Sequence, residues 1–210
     1  MHLNVRQKMK SLERLYVRYL DEIPAEIVQP FFEECDNIGV PLEAESYPPE
    51  PQAGIEDYIP AAIGLLIAKP FLDAFMKRAG DDTYSLLAKA VSGLVKRAKK
   101  IRMHVVTSGG AKVDAASSIS KTVSVHSLNG VGLTMKFLFD YESSDLECEQ
   151  SVTELLRFLS SGEAESLEVR RRGDTLLLKY SVEDSGWIIY EPLNMRGEQA
   201  VPPKSDRAGG

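Results

Sequence analysis

Apolar and polar positions along the chain change period several times, and each change marks an element. Leu15-Tyr16-Val17-Arg18-Tyr19 alternates and is rich in β-formers, which predicts a first strand. Ile27, Val28, Phe31, Phe32, Cys35 and Ile38 then recur at helical spacing between Pro24, suited to a first helical turn, and Gly39, suited to the stop. Val40 to Ser46 reads as a short extended segment. Tyr47-Pro48-Pro49-Glu50-Pro51 reads as a stiff linker, since each proline bars helix and pushes its predecessor to extended geometry.

The pattern becomes helical again over residues 57–100. Asp57 can cap a helix through Ile59–Ala68, where nearly every position is apolar. Pro70 should kink it before Phe71-Leu72-Asp73-Ala74-Phe75, and Gly80 should end it. Tyr84, Leu87, Ala88, Val91, Leu94, Val95 and Ala98 then form the stripe of an amphipathic helix. Downstream the period drops to two. Arg102–Thr107 reads as a strand and 108–120 as a loop. Thr122–Leu128 and Val131–Phe139 flank Asn129-Gly130, a strong hairpin signal, with Val131, Leu133, Met135, Phe137 and Phe139 on one face and Thr134, Lys136 and Asp140 on the other. Ser144-Asp145-Leu146-Glu147 matches a capping box and opens a helix ending at Gly162. Leu167–Arg171, Thr175–Ser181 and Trp187–Tyr190 read as closing strands.

This order predicts an α+β fold, a largely antiparallel sheet with four to five helices packed mainly on one face. Residues 1–12 read as a flexible lead-in, 13–192 as one domain around the central helical block 57–100, and 193–210 as a disordered tail. A division near 100–115 would leave each half a thin core.

Composition narrows the function only slightly. The chain has 210 residues, 43% of them hydrophobic, and a formal charge of −6. An acidic balance argues against a surface built to track nucleic acid. Cys35 and Cys148 sit among apolar neighbours and read as buried thiols, and the first residues lack the apolar run of a signal peptide, so a cytoplasmic location is expected. His2, His104 and His126 have no metal-ligand spacing, no cofactor motif is present, and Ser108-Gly109-Gly110 matches no phosphate-binding loop.

Two surfaces are candidates for contact. A helix apolar all round must be covered by something, which nominates Ile59, Ile63, Leu66, Ile67, Phe71 and Phe75 for a protein partner, a second copy or a membrane. The run is too short and too interrupted for a span, which needs about 20 apolar residues. Lys96, Arg97, Lys99, Lys100 and Arg102 cluster where cations suit a helix C-terminus, and they are candidate contacts for an anionic membrane surface. The segment Pro51-Gln52-Ala53-Gly54-Ile55-Glu56-Asp57-Tyr58-Ile59-Pro60-Ala61-Ala62, followed by Ala68 to Phe75, resembles uncharacterised bacterial proteins in which a Pro/Gly-x-Glu linker leads into an apolar helix. That resemblance implies a bacterial origin and carries no activity. The leading expectation is therefore a non-catalytic interaction or accessory protein. A peripheral membrane protein using 58–75 and 96–102, and a hydrolase-like enzyme with carboxylates and a histidine brought together by folding, are the alternatives.

Overall fold

The computed structural model describes residues 14–48, 62–101, 105–106, 112–113, 119–128, 134–163 and 175–190. Nine strands are described: β1 (Leu15–Leu20), β2 (Leu42–Tyr47), β3 (Ile63–Leu66), β4 (Val105–Val106), β5 (Lys112–Val113), β6 (Ile119–Leu128), β7 (Thr134–Asp140), β8 (Thr175–Ser181) and β9 (Gly186–Ile189). Three described helices accompany them: α1 (Ala25–Asn37), α2 (Lys69–Ala98) and α3 (Asp145–Ser161).

Seven strands form one sheet in the order β2-β1-β3-β6-β7-β8-β9, and β4 pairs with β5 separately. Parallel and antiparallel ladders alternate across the sheet, β1–β2, β3–β6 and β7–β8 being the parallel ones. With β4–β5 the antiparallel ladders are the majority, and the fold is α+β. Each parallel neighbour is reached through a helix, as parallel pairing demands: α1 between β1 and β2, α2 on the way from β3 to β6, and α3 between β7 and β8.

The helices form one layer, with α2 packed between α1 and α3. Beneath them lie alternate residues of the sheet: Val17, Ile63, Leu65, Val123, Val125, Met135, Phe137 and Leu178, all buried. Register confirms the shared face, since Val17 is opposite Leu65, Leu65 opposite Val125, Val125 opposite Phe137, and Phe137 opposite Leu178. From above come Phe31 and Cys35 of α1, Phe71, Leu87, Val91 and Leu94 of α2, and Val152, Leu155 and Leu159 of α3. One continuous apolar cluster thus runs from Leu15 to Trp187.

Local signals explain the helix ends. Gly39 and Gly162 have φ of +69° and +83°, a conformation that glycine adopts without strain just after a helix. The Ser144 hydroxyl accepts from the Glu147 amide, and the Glu147 carboxylate accepts from the Ser144 amide, so the capping box forms.

The central block departs from expectation. Residues 63–66, expected in an apolar helix, are β3, placed between β1 and β6. A strand flanked on both sides and covered by helices is apolar for the same reason a buried helix is, and period alone does not separate the two. Pro70 does not kink a helix; it sits in the first turn of α2, where its missing N–H has no intrahelical partner to lose. Nor does Gly80 end one, because α2 runs unbroken for 30 residues. Of the expected strand 102–107 the described residues Val105 and Val106 form β4, and the expected loop 108–120 contains β5 and the start of β6. The expected Leu167–Arg171 strand, the Asn129-Gly130 turn, the Pro49–Pro51 part of the linker, and the lead-in and tail lie outside the described residues.

Candidate functional site

The alternation that buries one face of the sheet brings a second set of side chains together on the other. Two rows cross it. One runs Glu45, Arg18, Gly64, Ser124, Leu138, Lys179 and Ile188; the next runs Glu43, Tyr16, Leu66, His126, Lys136 and Leu177. The expected polar outer face is only partly polar and only partly exposed. Ser124, Lys136 and Leu138 are 1–2% accessible.

At its centre, Ser124 and His126 stand two residues apart on β6 and are hydrogen bonded, 2.9 Å between Oγ and Nε2. Across the ladder His126 faces Leu66 on one side and Lys136 on the other. Burial drives the imidazole down to a pKa of about 4, and the Lys136 charge pushes it the same way. Burial likewise lowers the Lys136 ammonium to about 8. This Ser–His pair is the structural counterpart of the hydrolase alternative. Its hydroxyl is buried, His126 is half-buried, and neither residue lines the cleft described below. Ser124 and Lys136 were missed by the sequence reading. The usable signal was a hydroxyl, an imidazole and an ammonium at mid-strand positions of two adjacent strands.

Toward β2 the face becomes acidic and aromatic. Tyr16 donates to Glu45, and burial together with that carboxylate raises the phenol to about 12. The Arg18 guanidinium lies over the Tyr47 ring, 4.1 Å from its centroid. Toward β8, Lys179 pairs with Asp140 at 3.3 Å. Beyond that pair, where β7 and β8 end, an open cleft of about 290 Å³ is lined by Leu138, Asp140, Glu147, Lys179 and Tyr180 among others. The start of α3 borders it, and the capping box there already engages the Ser144 and Glu147 amides. Among the described residues no group of three or more His, Cys, Asp or Glu side chains is arranged to hold a metal.

The two sheet edges differ. β2 exposes Glu43 and Glu45, with Arg14 4.0 Å from Glu43. β9 carries no charge. Its Trp187 turns inward, donating from Nε1 to the Ser151 carbonyl at 3.2 Å and packing edge-on against Phe137, Phe139 and Tyr180. Its Ile188 and Ile189 are 44% and 51% exposed.

The residues nominated from sequence fall elsewhere. Ile63, Ile67, Phe71 and Phe75 are 0–2% exposed and belong to the core, Leu66 is half-buried on the second face, and Ile59 lies outside the described residues. What covers the described part of the apolar run is therefore this protein's own sheet and helices. In the basic cluster, Lys96 pairs with Glu149, and Lys99 with Asp145 and the Ser143 carbonyl, tying α2 to α3. Arg97 donates to the Ile27 carbonyl at 3.1 Å and lies 3.7 Å from Glu34, tying α2 to α1. Lys100 is exposed, and Arg102 lies outside the described residues. Three of the five cations thus hold helices together. No described helix is long and apolar enough to cross a membrane.

No family model, no curated protein and no solved structure matches this chain.

Proposed function

We propose that this chain is a non-catalytic interaction protein that binds a protein partner or its own copy, and that the contact is made by the β9 edge. One observation carries this reading: the sheet has one acidic edge and one uncharged, apolar edge. Sheet proteins blunt exposed edges with charge, bulges or cover, because open N–H and C=O groups recruit another strand. Glu43 and Glu45 do this at β2. At β9 the outward residues are isoleucines, a composition that favours strand addition. The contact proposed for Ile63, Ile67, Phe71 and Phe75 moves accordingly, since those side chains have no free surface to offer.

The buried thiols of Cys35 and Cys148, neither in a disulfide, fit a reducing compartment and support a cytoplasmic location. To test the reading, the mass in solution and the proteins retained from an extract of the native host are compared for the wild type and an Ile188→Lys/Ile189→Lys variant. Association lost in the variant supports it. A wild-type chain that stays at 23.2 kDa and retains nothing in a β9-dependent way removes it.

A further inference from the structure

The backbone of β9 allows the partner to be specified further. The Tyr190 amide donates to the Leu177 carbonyl at 2.8 Å, and β8 and β9 are antiparallel, with Lys179 opposite Ile188 and Tyr180 opposite Trp187. In an antiparallel pair the residues that exchange hydrogen bonds alternate with those that do not. Residues 186, 188 and 190 therefore direct their amides and carbonyls into β8, whereas Trp187 and Ile189 direct theirs away from it. No described residue pairs with this edge, which presents two donors and two acceptors in a symmetric pattern about Ile188.

We infer that a second copy of this chain occupies this edge, its β9 running antiparallel about a two-fold axis at Ile188. Among the described residues this centre pairs both outward residues of each copy with one another. Trp187 then faces Ile189 of the second copy and Ile189 faces its Trp187, each a hydrogen-bonded pair, so all four open donors are satisfied. Centring on Trp187 instead would set Ile189 opposite the turn residue Ser185, whose φ is +50°. Ile188 would lie against its symmetry mate as a non-hydrogen-bonded pair, the closer of the two antiparallel geometries at about 4.5 Å between Cα atoms. An indole beside a β-branched side chain is a favourable cross-strand neighbour.

Charge selects this edge over the other. An uncharged strand meets its own copy without like-charge opposition, whereas β2 paired with itself would bring Glu43 and Glu45 close to the same carboxylates. A two-fold interface is also the commonest way in which identical chains associate. A four-residue contact makes a weak, concentration-dependent dimer, at the small end of specific interfaces.

This inference rests on the β9 reading and is tested separately from it. Sedimentation of the full chain should show a mass rising with concentration from 23.2 kDa toward twice that value. Ile188→Lys places two ammonium groups face to face and should hold the protein at the monomer mass with an unchanged circular dichroism spectrum. Ile188→Cys should cross-link rapidly under mild oxidation, because about 4.5 Å between Cα atoms suits a disulfide. Val182→Cys, exposed but off the axis, should not, and buried Cys35 and Cys148 offer no competing thiol. A wild type that is monomeric throughout, an Ile188→Lys protein that still dimerises, or equal cross-linking at 182 and 188 each overturns self-pairing. If the chain is monomeric yet binds another protein in a manner abolished by Ile188→Lys, only the identity of the partner was wrong. If neither mass nor binding depends on β9, both readings fall.

Discussion

His126 should make this fold acid-labile in a way that one substitution removes. The imidazole lies between Leu66 on β3 and Lys136 on β7, bonded to Ser124 on its own strand, with Gly64 adding no charge. Its pKa is lowered from 6.5 to about 4 in the folded chain. Between those values the unfolded chain binds a proton that the folded chain refuses, so stability falls as pH drops through this window and is intact above it. At about 1.4 kcal/mol per tenfold change in proton affinity, the gap corresponds to about 3 kcal/mol. That is a large part of the roughly 5–15 kcal/mol of a typical domain. Urea unfolding at a series of pH values measures it. His126→Gln should lose some stability at pH 7, from the disturbed bond to Ser124, but should flatten the decline between 6.5 and 4 by about 3 kcal/mol. Proton NMR of the wild-type ring should show no titration near 6.5. A ring that titrates near 6.5, or parallel stability profiles for wild type and variant, would refute the argument.

Lys136 gives the opposite end of the same curve: its folded pKa of about 8 lies below the ordinary 10.5, so stability should climb as pH rises from 8 to 10.5, and Lys136→Met should abolish that climb in the same unfolding series. At the α1–α2 contact, a Cβ on Gly93 would sit 3.2 Å from Arg97 Nη1. In an Arg97→Met background, Gly93→Ala should therefore stabilise by up to about 1 kcal/mol through helix propensity, and in the wild type by clearly less; thermal melts of the four proteins measure the coupling. Ser144→Ala removes the α3 cap and should cost about 1 kcal/mol by the same assay. Pro70→Ala should leave the helix content of α2 unchanged by circular dichroism, since the ring occupies a first-turn position and bends nothing.

The elements legible in the sequence are those whose period and end signals agree. α1 shows its stripe between Pro24 and Gly39, α3 its capping box and Gly162, and β6 and β7 their alternation, although the ladder sets Leu128 opposite Thr134 and not opposite Val131 as a two-residue Asn129-Gly130 turn requires. β3 was not legible because Ile63-Gly64-Leu65-Leu66 has apolar residues for both faces: Ile63 and Leu65 go to the helices, Leu66 beside His126 to the other side. The clue was Pro70, which marks a helix beginning more often than one continuing. The polar set on the second face was hidden for a different reason. Ser124, His126 and Lys136 look like solvent-facing positions of an alternating pattern, and only the assembled sheet shows Ser124 and Lys136 buried with His126 half-buried beside them. The β9 edge needed topology, because nothing in Gly186-Trp187-Ile188-Ile189 says that the strand is last in the row.

The seam at β3–β6 has a consequence for how the chain assembles. Every other ladder of the large sheet joins strands from the same half of the sequence: β1, β2 and β3 before α2, and β6 to β9 after it. Among the described residues the halves are joined mainly by the four residue pairs of β3–β6 and by α2 packed on α3 and β6. Local pairings close early because short loops lose little entropy on closure, and the long connection through α2 closes last. Cutting the chain between Ile101 and Ile119 should therefore yield two polypeptides that recombine when mixed, with α2 as the latch.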